Sequence, residues 1–152
     1  MGINPAYAGR EYPPTAPFAV GREHVRDFAR AVGATHPAHH DVDAARALGH
    51  RDVVAPPTFA VVVAQRAEAQ LIADPEAAID FSRVVHADER FTHHRPVVAG
   101  DELVTVLHID QVVERSGLAT VTTRCEISDG AGVPVSTVVS RLAVRLADEA
   151  GA

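Results

Sequence analysis

Lysine and tryptophan are absent from the 152-residue chain, cysteine and methionine occur once each, and aromatic residues make up only 5%. A lone cysteine, Cys125, excludes an intrachain disulfide, and nothing points to an oxidising compartment. The longest apolar run, Phe59–Ala64, falls far short of the roughly 20 residues a membrane-spanning helix requires. The opening residues carry no apolar stretch of the kind a targeting leader has. With no lysine, all 14 basic residues are Arg, and they face 20 acidic ones, for a net charge of -6. A negative balance argues against nucleic acid and against an anionic membrane surface, both of which select basic faces. The expected location is the cytoplasm.

Hydrophobic residues reach 47%, enough to bury a core. No repeat or linker divides the chain, so one domain is expected over 1–152. Four prolines before residue 18 (Pro5, Pro13, Pro14, Pro17) predict an irregular, extended arm over Met1–Pro17. Val25, Phe28, Ala29 and Val32 recur at i, i+3, i+4, i+7 and predict a short amphipathic helix over His24–Val32, stopped by Gly33. A polar, His-rich stretch follows, with a short helix around Asp43–Leu48. A long helix is then expected from about Thr58 to Ile72, with Pro57 near its first turn, Thr58 as its cap and Asp74-Pro75 just past its end. Its start, Phe59 to Ala64, is apolar on every side and must be enclosed.

The second half reads as strands: Val84–His94, Glu102–Val113, Leu118–Ile127 and Val135–Leu146. Gly100-Asp101, Ser116-Gly117 and Asp129–Gly132 read as turns between them. Val121, Thr123, Cys125 and Ile127 alternate onto one face, where Cys125 is expected to be a buried thiol. His86, Asp88 and Arg90, spaced by two, are expected on one charged outer face, and His93 and His94 on opposite faces. Consecutive strands with tight turns imply an antiparallel meander curled around the long helix, an α+β fold.

Four stretches carry a family resemblance. They are Val20–Glu23 running into Phe28–Gly33; Ala55–Phe59; His86–Phe91 with His94–Asp101; and Ser140–Arg145. Together, in this order and across nearly the whole chain, they resemble the MaoC-like dehydratase family of hot-dog proteins, in its fatty-acid-synthase-like N-terminal-domain branch. The resemblance implies a single hot-dog domain, a sheet wrapped around one central helix, and acyl-CoA or acyl-carrier-protein thioesters as ligands. It also implies pairing, as a homodimer or as a heterodimer with a second MaoC-like hot-dog subunit, and no cofactor. Closest in look are actinobacterial (R)-3-hydroxyacyl-thioester dehydratase subunits, in which one hot-dog subunit binds the acyl chain and another carries the catalytic pair.

Reversible hydration of a 2-enoyl thioester needs a base for water, an acid for the α-carbon and donors for the developing enolate oxygen. The hydratase family places Asp and His in a Gly-Asp-x-Asn-Pro-x-His pattern. Here the stretch is Gly33-Ala34-Thr35-His36-Pro37-Ala38-His39, so the carboxylate position holds Ala34 and the His position keeps His39. His39 is the candidate catalytic residue, and Asp41 could substitute for the lost carboxylate only if the loop shifts. Pro56 and Pro57 stand where the family offers a glycine amide, and proline has no N–H. Candidate substrate-binding residues are Pro57, Thr58, Phe59, Val62 and Val63. His36, His39, His40 and Asp41 lack metal-ligand spacing, so no metal is expected.

The expected function is therefore an acyl-chain-binding subunit of an (R)-specific 3-hydroxyacyl-thioester dehydratase, or 2-enoyl-thioester hydratase, that is not catalytic by itself. The alternatives are a non-enzymatic acyl-thioester-binding or assembly module and a hot-dog acyl-thioester hydrolase. Against hydrolysis, Thr58–Gln65 holds no carboxylate and Glu68 comes only in the third turn.

Overall fold

In the computed structural model, residues 3–146 are described; Met1 and Gly2 of the expected arm, and 147–152 of the expected 1–152 unit, lie outside them. The first helical pattern folds as α1, Arg22–Ala31, with Val25 and Ala29 buried. Gly33, at φ +70, ends it. The Gly33 and Ala34 amides fold back on the carbonyls of Arg30 and Ala29 at 3.2 and 2.8 Å, the paired bonds of a Schellman stop. The next short helix, α2, spans Val42–Ala47.

The long helix, α3, spans Ala60–Ala73 and is entered through a 3-10 turn at Pro57–Phe59. No side chain caps α3, so Thr58 does not have the capping role expected of it: the extra tight turn displaces it from the helix start. Ala60, Val63, Ala64, Ala67, Glu68 and Leu71 are buried at i, i+3, i+4, i+7, i+8 and i+11.

Five antiparallel strands receive that helix: β1 (Phe18–Ala19), β2 (Val84–His93), β3 (Glu102–Arg115), β4 (Leu118–Asp129) and β5 (Pro134–Arg145). Ser116 and Gly117, both at positive φ, make the two-residue turn that joins β3 to β4. Val121, Thr123, Cys125 and Ile127 all face inward and are buried, and desolvation pushes the Cys125 thiol far above its ordinary pKa. Register shifts at Ile109/Gln111, Ile127/Ser128 and His86/Asp88 bend the strands, and the sheet curls around α3.

The order is β1-β3-β4-β5-β2, so the meander expectation holds for β3 to β5 but not for β2. β2 pairs with β5 because the outer edge of β3 is already taken. The N-terminal arm donates from Gly9, Tyr12 and Thr15 to the carbonyls of Ile109, Leu107 and Thr105 at 2.7–3.0 Å, and β1 continues the cover at Leu103 and Glu102. The described part of the arm contains a 3-10 turn at Pro5–Tyr7 and is pinned at Asp74. Tyr7 Oη, Tyr12 Oη and Arg10 Nη1 all donate to Asp74 Oδ2, at 2.8, 3.0 and 3.1 Å. The Tyr7 hydroxyl holds the Asp74 carboxyl below its ordinary value, and burial lifts Tyr12 to about 12.

Between β2 and β3, Gly100 takes a positive φ and the Asp101 amide closes a turn onto Val98 at 3.0 Å. Asp101 is more than part of this turn: it is 4% exposed and organises the whole loop. Arg95 donates to both its oxygens at 2.9 and 3.2 Å, the Val98 amide donates at 2.9 Å, and Arg51 pairs with it from the solvent side. The carboxylate raises the Arg95 pKa in return.

Two outcomes follow. Asp101→Asn removes the charge facing partly buried Arg95 and is expected to cost about 2 kcal/mol in urea unfolding, less than a fully buried pair because both arginines reach solvent. A depressed carboxyl stabilises the fold above its ordinary pKa, here 3.8, and that stabilisation is lost as pH falls through the folded value. Asp74→Asn is therefore expected to lower stability at neutral pH and to flatten the loss of stability below roughly pH 4, read by thermal melts against pH.

Candidate functional site

The loop after α1 is held by its own imidazoles. His36 Nδ1 accepts from the Ala38 amide at 3.1 Å and so caps the 3-10 turn Pro37–His39. His40 Nε2 donates to the Ala34 carbonyl at 2.7 Å, and Arg26 reaches the His40 carbonyl at 2.8 Å. His39 Nδ1 lies 2.6 Å from the Val54 carbonyl. A carbonyl only accepts, so this contact assigns the proton to Nδ1 and leaves Nε2 as the nitrogen available for base chemistry.

His39 lines a recess of about 500 Å³ together with Val54, Pro56, Pro57, His93, His94 and Arg95. The recess thus joins the loop after α1, the entry to α3 and the end of β2. His93 and His94 were expected on opposite faces, yet both line it: β2 ends at His93, and alternation lapses one residue later. Their ring nitrogens meet Ser136 Oγ at 3.2 Å and Thr137 Oγ1 at 3.3 Å. No Asp or Glu lines the recess among the described residues. Asp41 is exposed and accepts from the Ala44 amide at 2.8 Å as the cap of α2, an occupation outside the recess.

The other sequence candidates scatter. Pro57 lines the recess; Thr58, beside it, is exposed. Phe59 is 0% exposed, with its ring edge-on to Phe18, His24 and Phe28, so it is core and no wall of the recess. Val63 is buried and borders a small separate cleft with Phe18 and Arg66, and Val62 is half-buried. Of the amides at the entry to α3, that of Phe59 is spent on the Pro56 carbonyl at 2.9 Å, and the two prolines have none; Thr58 offers the remaining N–H of that turn.

A second polar group escaped the sequence reading. The bulge at His86/Asp88 reverses which side the strand presents. His86 therefore turns toward α3, while Asp88 pairs with Arg141 on the outer face; the three-residue charged face expected for His86, Asp88 and Arg90 is broken. Glu68, on α3, is buried and accepts from Thr123 Oγ1 at 2.7 Å. Glu89 accepts from Ser140 Oγ at 2.8 Å, and burial followed by the Glu68 charge raises its pKa. One signal was available: Glu68 falls in the register of Ala60, Ala64 and Leu71, a carboxylate in an apolar stripe.

The profile of the FAS1-like dehydratase domain region matches residues 6–138. A UPF0336 protein of Clavibacter michiganensis subsp. michiganensis is 54% identical over 145 residues, covering 95% of this chain and 97% of the relative. A UPF0336 protein of Streptomyces griseus is 46% identical over 150 residues, covering 99% and 100%. Among solved structures, the C-terminally truncated HadBC (3R-hydroxyacyl-ACP dehydratase) complex of Mycobacterium tuberculosis is similar at TM-score 0.79 and 36% identity, covering 90% of this chain and 96% of that one. A MaoC-like dehydratase matches at TM-score 0.85 and 35% identity over 95% of this chain and 44% of its own. With the helix-filled antiparallel sheet, these findings agree that the chain belongs to the FAS1-like dehydratase-region family of MaoC-like hot-dog proteins.

Proposed function

We propose that the chain is the acyl-chain-binding subunit of an (R)-specific 3-hydroxyacyl-thioester dehydratase, acting reversibly as a 2-enoyl-thioester hydratase, and that a second MaoC-like hot-dog subunit supplies the chemistry. The observation that carries this reading is a recess that holds His39 and, among the described residues, no carboxylate. Hydration across a double bond needs a base and an acid acting together. His39 Nε2 can take one proton, but Ala34, at the family's carboxylate position, can take none, and Asp41 is engaged as a helix cap. The prolines at the entry to α3 further reduce the donors for an enolate oxygen.

The partner's place is supported by β2. It lies at the edge of the sheet with ten residues whose outer backbone groups face no strand among the described residues. Val85, 63% exposed, and Phe81, 66% exposed, stand on or beside it. A long edge of this kind pairs with another strand, and a second hot-dog sheet, from another copy or from a different subunit, fits it. The ligand is an acyl-CoA or acyl-carrier-protein thioester, and no metal or cofactor enters the reading. No described helix is long and apolar enough to cross a membrane.

The missing carboxylate also suits a non-enzymatic acyl-thioester-binding or assembly module, and one experiment separates the readings. Hydration of crotonyl-CoA and longer 2-enoyl-CoAs is followed for the purified chain, its His39→Ala variant and the chain co-purified with a second MaoC-like subunit that keeps the Asp and His. The expected outcome is no turnover by the chain alone, turnover by the pair, and a kcat for the pair that His39→Ala leaves within about twofold. Turnover by the chain alone, lost in His39→Ala, overturns the reading; acyl-CoA binding that no partner converts to turnover favours the binding module.

A further inference from the structure

A second cavity, of about 570 Å³, lies against the later turns of α3. Its volume is that of a small-molecule site. Gln65, Glu68, Ala69 and Ile72 line it from one stripe of the helix, at i, i+3, i+4 and i+7. Phe81, His86 and Leu142 line it from outside the helix. Glu68 stands eight residues beyond Ala60, which borders the His39 recess, or about 12 Å further along the helix axis.

The walls are mainly apolar, yet a carboxylate is built into them. Glu68 is 4% exposed; Thr123 satisfies Oε1 at 2.7 Å, while Oε2 makes no hydrogen bond among the described residues. Buried charges are normally paired, but no Arg lines the cavity among the described residues and the chain has no Lys. His86 lies between Glu68 and Glu89 and hydrogen-bonds to neither: Nε2 is 3.9 Å from Glu68 Oε2, and Nδ1 is 3.6 Å from Glu89 Oε1. That Glu89 oxygen is itself buried without a hydrogen-bond partner. Burial first, and then the charge of Glu68 against a lowering bond from Ser140, raises the Glu89 pKa, so the second carboxyl is burdened by the first and does not offset it.

The open oxygen therefore calls for a cation, and its surroundings select the kind. A metal ion needs several ligands, and the described residues hold no group of three His, Cys, Asp or Glu able to supply them. The fork of a guanidinium pairs with both oxygens of a carboxylate, and Thr123 occupies one of these. An ammonium needs only a single open oxygen, and Gln65, one turn earlier on the same stripe, carries a further side-chain oxygen. An organic body attached to it matches the apolar walls, whereas an anionic ligand would meet Glu68 as a like charge.

We propose that this cavity binds a primary amine with an apolar body, the ammonium donating to Glu68 Oε2 and the body packing against Ile72, Phe81 and Leu142. The assignment draws on neither the His39 recess nor thioester chemistry, so it stands or falls apart from the dehydratase reading.

Calorimetric titration of the purified chain at neutral pH with phenethylamine, phenethyl alcohol, phenylacetate and phenethylguanidine tests it. Saturable binding of the amine is expected, with the alcohol and the carboxylate each weaker by about tenfold or more, the scale of a lost buried hydrogen bond to a charged group. The guanidine is expected to bind less tightly than the amine. Glu68→Gln keeps an acceptor for Thr123 but removes the charge, and is expected to weaken the amine by about tenfold while leaving the alcohol within about twofold. Ala69→Trp, at an exposed position of the lining stripe, is expected to abolish binding while circular dichroism and melting temperature show an intact fold. Failure of the amine to bind overturns the proposal, as does any of the other three ligands matching it. Amine affinity that survives either Glu68→Gln or Ala69→Trp overturns it as well.

Discussion

Enclosing α3 is the constraint on which the other elements depend. Its entry and first turns, from Phe59 through Ala64, have no exposed residue, so a flat sheet covering one side of the helix is not enough. The sheet has to curl, and it does so at three register shifts, each adding local twist and bend. Curling also leaves the outer edge of β3 to be covered, and the extended N-terminal arm lies along it, pinned to Asp74 at the far end of the same helix. Helix, sheet and arm are thus parts of one solution to a burial problem.

The same enclosure decides where polar groups become costly. Asp101 lies buried in the loop that carries the chain from β2 to β3, where Arg95 and the Val98 amide compensate its charge. Glu68 is also enclosed, but only one of its oxygens is satisfied. Buried polar groups are normally matched, so the contrast between these two carboxylates separates a structural ion pair from a group left open toward a cavity. The two regions bordered by α3 differ in the same way: among the described residues the recess near its entry is lined by imidazoles and Arg95 with no carboxylate, whereas the cavity along its later turns has Glu68 and His86 among apolar walls.

Much of the fold was legible in the residues. Hydrophobic spacing placed α1 and α3 to within a few positions, strict alternation placed the inward face of β4, and paired turn residues marked the β3–β4 hairpin. Of the candidate site, His39 was legible because a local pattern, Gly33 through His39, keeps its Pro and His while losing its carboxylate to Ala34. The role of Phe59 was not: an aromatic residue at a helix start reads equally as tunnel wall or as core, and only the rings of Phe18, His24 and Phe28 around it decide for core.

What the sequence determined by itself was local and periodic: which segments are helical or extended, where the chain must turn, that α3 must be enclosed, and that the usual carboxylate position cannot carry a proton. What the tertiary structure decided was non-local. It seated β2 beside β5 because the arm had already taken the edge of β3, and it brought His93 and His94 together where strand alternation lapses. It also turned His86 inward through a single bulge, to meet Glu68 from another element and Glu89 from its own strand. The physical reason is that one inserted residue reverses every side chain beyond it, and such an insertion leaves no mark in hydrophobic spacing; it is set by how far the sheet must bend to close around its helix.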